Sequence, residues 1–175
     1  RLHGRLHERL QDATLEHDVR VDGQLRSAEY LSQRGEATQA LALLEAMAEP
    51  PAEALRQRWW RARMNALHQT GRLDEALADG GKALNAAPPG SRERGEVLVS
   101  LATLTRSVGR LHDAVTHADA GAAIFERLGD ALGRARALFY RGICAIELDD
   151  HAAAESILRA AASLAGRHGN VHLQR

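Results

Sequence analysis

The chain has 175 residues, of which 23 are basic and 23 acidic, so its formal charge is zero. That balance argues against broad nucleic-acid binding, which draws on a surplus of Lys and Arg to displace counterions, and against a polybasic membrane surface. Aromatics make up 3% and hydrophobics 45%, so Ala, Leu and Val must build the core, a composition suited to close helix packing.

The first predicted element is a helix over 2–17, with Leu6, Leu10 and Ala13 on one face. It reads either as the second helix of a preceding unit or as a linking helix. Asp22-Gly23 is the weak spot before or within the next helix, because glycine costs up to about 1 kcal/mol there. A helix pair follows over 20–34 and 36–48, closed by Glu49-Pro50-Pro51, since proline cannot continue the hydrogen-bond ladder. The second pair spans 53–70 and 72–86 and ends at Pro88-Pro89-Gly90, after which Ser91 is placed to cap the next helix. The third pair spans 92–108 and 110–128, the fourth 131–148 and 150–167, and Gly169-Asn170 stops the last helix. The expected domain is one continuous array over 1–175: a leading helix at 2–17, repeats at 20–48, 53–86, 92–128 and 131–168, and a truncated continuation at 169–175.

The pairs repeat one another. Gly35, Gly71, Gly109 and Asp149 occupy the same turn position at spacings of 36, 38 and 40 residues, and five residues after each stands alanine: Ala40, Ala76, Ala114 and Ala154. Seven before each turn residue are Ala28, Met64, Ala102 and Gly142; twelve after are Met47, Ala83, Gly121 and Ala161. Four before are Leu31, Leu67, Thr105 and Ala145; eleven before are Gln24, Trp60, Leu98 and Leu138. Offsets of four and seven fall on one helical face, so each unit is a helix, a tight turn and an antiparallel second helix.

The second unit, Trp60 through Met64, Leu67 to Gly71, then Ala76, Ala83 and Pro88, resembles the tetratricopeptide repeat. The first unit lacks the aromatic residue, and the third and fourth lack the closing proline and run longer. Ile124 to Asp130 followed by Arg134 to Leu138 resembles a longer-hairpin variant found in large bacterial regulators that join an NTPase module to a helical-repeat sensor. The resemblance covers about residues 20–168. It implies an all-α, right-handed α-solenoid of about four helix pairs plus an N-terminal helix, and a non-catalytic scaffold that binds a protein or peptide. A cytoplasmic location is the default expectation, since one cysteine allows no internal disulfide and no signal-peptide pattern opens the chain. In such arrays the first helix of each pair lines a concave surface. On that face fall Arg58, Arg61, Asn65 and His68 in the second unit, Thr103 and Arg106 in the third, and Arg136, Phe139 and Tyr140 in the fourth. Guanidinium groups hold carboxylates bidentately, so an acidic peptide is the partner these arginines favour. Arg61, Asn65 and Arg136 match positions of a clamp for a terminal carboxylate, whereas Ser100 and Tyr140 depart from it. The competing account of the arginines is ion pairing within the array, to Glu29, Glu96 and Glu147.

Two other readings belong to different classes. A small-molecule effector would need an apolar wall, for which Val99, Phe139, Ile143 and Ile146 are available. A self-association module would pair the uncapped ends of the array between copies. No catalytic residue, metal site or cofactor is expected. His3 and His7, like His168 and His172, have a four-residue spacing but no third ligand. Cys144 reads as a buried thiol, and Asp149-Asp150 as a turn and helix start. The chain opens on Arg1 rather than Met and reads as a piece of a longer protein.

Overall fold

The computed structural model describes the backbone of residues 2–167 and the side chains of residues 12–166. Among the described residues all regular structure is α-helical: α1 Leu2–Gln33, α2 Ala37–Glu45, α3 Glu53–Gln69, α4 Leu73–Ala86, α5 Arg92–Ser107, α6 Leu111–Arg127, α7 Ala131–Glu147 and α8 His151–Arg167. The His3/His7 and His168/His172 pairs, and the segment 169–175, lie outside the described side chains. The chain divides into two compact units, Arg1–Asp79 and Gly80–Arg175, and the division falls inside α4. The all-α, repeat-like fold read from the sequence is what forms.

The turn positions found by periodicity share one backbone conformation. Gly35, Gly71, Gly109 and Asp149 have φ of 82°, 80°, 78° and 61°, in the left-handed region that only glycine enters without steric cost. Around each, two backbone bonds close the preceding helix: Arg72 N–H donates to Leu67 O at 2.9 Å, and Gly71 N–H to His68 O at 3.1 Å. The same pair recurs at the other three positions and again at Gly129, where α6 meets α7. This pattern satisfies the last carbonyls of a helix while reversing the chain, which is why a three-residue connection suffices. Ser91 caps α5 as expected, its hydroxyl accepting from Arg94 N–H at 3.1 Å. The alanine column is buried throughout, at Ala40, Ala76, Ala114 and Ala154.

In the first unit the expected break before residue 20 does not occur, and α1 runs unbroken for 32 residues. Gly23 takes ordinary helical geometry and is bridged on both sides. Arg26 Nε donates to Asp22 Oδ2 at 2.8 Å, and Ser27 Oγ donates to Gly23 O at 3.0 Å. Leu25, Ala28, Leu41 and Leu44 of α1 and α2 form the core with Trp59, Trp60, Met64 and Leu67 of α3. The two indoles meet edge to face at 4.4 Å, and Trp59 Nε1 donates to Leu44 O at 3.2 Å, tying α3 to the end of α2. Arg63 lies over both rings, 5.5 and 5.8 Å from their centres, and pairs with the buried carboxylate of Asp79 at 3.1 Å.

In the second unit α5 packs on α6 and α7 on α8, with α7 also against α5 and α6. Phe125 of α6 is fully buried between two glycines. A Cβ built on Gly95 of α5 would lie 2.8 Å from its ring, and one on Gly133 of α7 2.5 Å. Val99, Ala122 and Ala137 complete that cluster, with Leu138 and Tyr140 packed against it. Gly142 likewise makes room for Leu158, whose side chain would come within 2.6 Å of a Cβ there.

Candidate functional site

The concavity with most bearing on function lies in the first unit, between α1 and α3. It is a half-open trough of about 240 Å³ lined by Glu29, Ser32, Gln33, Arg61, Ala62, Asn65 and Gln69. The repeat register explains the lining. Gln33 and Gln69 both stand two residues before the turn glycine, and Glu29 and Asn65 both stand six before it. One helical face, used twice, supplies both walls. The polar groups on that face are carboxamides, a hydroxyl and one ion pair.

Beside the groove, Arg58 is held by two carboxylates. Its Nε donates to Glu29 Oε1 at 2.8 Å, a second nitrogen reaches Glu29 Oε2, and the third reaches Asp22. The hydrogen bond with Glu29 raises the Arg58 pKa above its ordinary value, against the opposing effect of burial. For Asp22, burial acts to raise the pKa, and the hydrogen bonds and charges of Arg26 and Arg58 together lower it below the ordinary carboxylate value. Arg61 joins the same cluster, 3.5 Å from Glu29. α1 thus supplies counter-charges to the expected cationic face: Arg58 and Arg61 share the Glu29 carboxylate, and Arg26 and Arg58 share that of Asp22.

Of the residues assigned to a binding face, Arg61 and Asn65 come together in this groove, Arg58 stands next to it, and His68 is on α3 but outside the lining. The second-unit residues form a separate strip on α5 and α7. Arg136 pairs with Glu96 at 2.6 Å, and Arg106 with Glu147 at 2.6 Å. Glu29, Glu96 and Glu147 are the three partners that the sequence offered for ion pairing. Thr103 turns its hydroxyl back onto Val99 O at 3.2 Å, and Phe139 meets Tyr140 edge to face at 5.5 Å. Val99, one member of the apolar wall suggested for an effector, is buried in the core cluster and cannot line a site.

Sequence reasoning passed over Ser32, Gln33 and Gln69. The signal was present, because both glutamines occupy one column of the repeat, but an exposed amide near a turn gives no hint of the groove until two helices are set side by side. It also passed over Arg63 and Asp79, whose pairing depends on α3 and α4 meeting.

The remaining reactive groups are accounted for by the core. Burial pushes the Cys144 thiol above its ordinary pKa, as does Glu147, so the thiolate nucleophile is disfavoured. Burial lowers the His117 pKa, and its Nδ1 lies 3.5 Å from the hydroxyl of Thr105. Among the described residues no group of three His, Cys, Asp or Glu side chains is placed to hold a metal, and no helix is long and apolar enough to cross a membrane.

No protein-family model matches this sequence, and no curated protein matches it. Among solved structures, the chain is similar to the crystal structure of BtubC (BKLC) from P. vanneervenii, with 17% identity and a TM-score of 0.62. The match takes in 83% of this chain and 57% of that one. At that identity the likeness concerns the fold alone.

Proposed function

We propose that the chain is a non-catalytic, peptide-binding scaffold of the tetratricopeptide type, working as part of a larger bacterial signalling or transcriptional regulator in the cytoplasm. The observation that supports this reading is the amide-lined groove between α1 and α3, in which Asn65, Gln33 and Gln69 face one half-open trough of about 240 Å³. A carboxamide offers one acceptor and two donor hydrogens, the complement of a peptide unit with its N–H and C=O. Three of them lining one trough suit an extended main chain, whose polar groups are unpaired in that conformation.

Charge refines the partner. Arg61, the arginine that lines the groove, already shares the Glu29 carboxylate with Arg58, so an acidic ligand would compete with that carboxylate for it, which offsets part of the new contact. The groove thus favours uncharged segments, and recognition of the backbone sets affinity with modest sequence preference.

The reading is tested with an array of peptides captured by the whole chain, followed by titration of the best binder. Asn65→Ala is expected to weaken that peptide by about tenfold, the worth of one or two hydrogen bonds left unmade in a desolvated site. Glu29→Gln, which loosens Arg58 and Arg61, is expected to shift preference toward acidic peptides. Capture of no peptide at all, or affinity that ignores Asn65→Ala, rejects the groove as the site.

A further inference from the structure

In the trough between α1 and α3, three carboxamides and a hydroxyl stand beside one ion pair, and Ala62 is the single apolar residue of the lining. The charged groups are engaged, since Arg58 and Arg61 share the Glu29 carboxylate. The neutral polar groups are not. Among the described residues, none of the side chains of Ser32, Gln33, Asn65 and Gln69 is spent on a hydrogen bond within the chain. Asn65 is half-buried, and Gln33 and Gln69 are exposed at the mouth.

The same columns of the repeat in the second unit show that this is no general property of the fold. Six residues before the turn they hold Thr103 and Ile143, and two before it Ser107 and Glu147. The two hydroxyls there turn back onto their own helix, Thr103 to Val99 O at 3.2 Å and Ser107 to Leu104 O at 2.7 Å. Glu147 is taken by Arg106. Unspent amides in these columns belong to the first unit.

We infer that the trough selects, among extended peptides, those with a carboxamide side chain, Asn or Gln, at positions i and i+2. The inference rests on the trough being the peptide site and adds the side chains it prefers. Asn65 and Gln69 are four residues apart on α3, a rise of about 6 Å along the helix. Alternate residues of an extended chain project to one side about 6.5–7 Å apart, so a segment lying along α3 meets both amides in register. Residues i and i+3 project to opposite sides and cannot. The lining decides the chemistry of the pair. A carboxamide donates and accepts at once, so two of them exchange two hydrogen bonds. A carboxylate only accepts and an ammonium only donates, and each meets a like charge in the lining, at Glu29 or Arg61. Leucine finds apolar contact at Ala62 alone and leaves the amides without a partner.

Fluorescence anisotropy of labelled octapeptides titrated with the whole chain is the test. The probes share a threonine–glycine background and carry two glutamines at i and i+2, the same two at i and i+3, or two leucines or two glutamates at i and i+2. The first is expected to bind at least roughly tenfold tighter than the leucine and glutamate peptides, and at least roughly fivefold tighter than its isomer. Each glutamine of the first peptide is then replaced singly by leucine. Against the wild-type chain both replacements are expected to weaken binding. Against Gln69→Leu, an exposed substitution whose helical circular-dichroism signal is expected to match wild type, only one of them is. Peptides that bind with no preference for glutamine, an isomer that binds equally well, or a Gln69→Leu chain that still senses both positions overturns the inference and leaves the peptide reading standing. If none of the probes and no arrayed peptide binds, that reading falls and this inference with it.

Discussion

In the first unit, long polar side chains reach between helices. Arg58 and Arg61 of α3 converge on Glu29 of α1, Trp59 bonds to a carbonyl at the end of α2, and Arg63 spans two indoles to reach Asp79. In the second unit the helices close on one another directly, with Phe125 fitted against Gly95 and Gly133 and Leu158 against Gly142. Ion pairs are present there as well, yet Arg136–Glu96 and Arg106–Glu147 lie at the rim of that packing. Both units are built from the same helix, turn and helix, with the same left-handed turn residue and the same buried alanine. The difference lies in the glycines at the contacts: Gly95, Gly133 and Gly142 admit the side chains of a neighbouring helix, whereas Gly23, Gly35 and Gly71 of the first unit meet none. In the first unit polar groups line a groove of about 240 Å³ between α1 and α3. In the second a smaller, mainly apolar cleft of about 120 Å³ lies beside Phe125 and Leu164.

The sharpest way to probe this contrast is Phe125→Ala. It removes the ring that fills the space between two glycines, and neither Gly95 nor Gly133 has a side chain with which to refill it. The expected loss is about 3–5 kcal/mol, the upper range for a buried aromatic. Both tryptophans of the chain, Trp59 and Trp60, belong to the first unit, so their fluorescence reports that unit while far-UV circular dichroism reports all helices. Urea unfolding of Phe125→Ala should show an early loss of ellipticity ahead of the tryptophan transition. Equal displacement of both signals would mean that the units do not differ in the way described.

What was legible in the sequence follows the same physics. The turn residues could be read because a left-handed φ demands glycine or a tolerant aspartate, and the alanine column because a second methyl has nowhere to go. Both constraints are local and act on residue identity. The binding-face arginines could be placed on α3, α5 and α7, yet their state could not be decided, since two accounts of them used the same residues. Pairing to Glu29, Glu96 and Glu147 required α1 to be set beside α3, and α5 beside α7. Gly95 and Gly133 carried no signal at all, because a glycine that makes room for a distant ring looks like any other. The division inside α4 falls at Gly80-Gly81, an adjacent pair of poor helix formers that the periodicity reading passed over.

A second probe bears on the polar tie of the first unit. Asp79→Asn keeps shape and volume but removes the charge that Arg63 meets at 3.1 Å. Asp79 is buried and Arg63 largely so, and the guanidinium retains the indole faces as a partial substitute. The expected cost is therefore about 1.5–3 kcal/mol, the range for a hydrogen bond to a charged group, below that for a fully buried pair. It should appear in the tryptophan transition, the reverse of the Phe125→Ala pattern. A variant of wild-type stability would reduce Arg63–Asp79 to decoration and leave the indole pair as the tie.

The smallest expected effect concerns α1, where the two readings of the chain differ most. Periodicity placed a boundary near residue 20 with Gly23 as its weak spot, whereas the helix runs through. If Gly23 is only a local weakness bridged by Arg26–Asp22 and Ser27, then Gly23→Ala is free of penalty: its Cβ would meet nothing within 4 Å, and its φ is already helical. The gain comes from the unfolded chain, which loses conformational freedom with alanine, and is expected at about 0.5–1 kcal/mol. Amide exchange near residues 20–27 should slow in step, because the stabilised stretch is where the two halves of α1 join. If Gly23→Ala instead lowers stability, the glycine must supply a bend that the unbroken helix does not contain, and α1 would act as two helices after all. The clamp of Arg58 on Asp22, one residue from that glycine, would then join a mobile segment to the wall of the groove. Peptide affinity would in that case change with a substitution that touches no peptide.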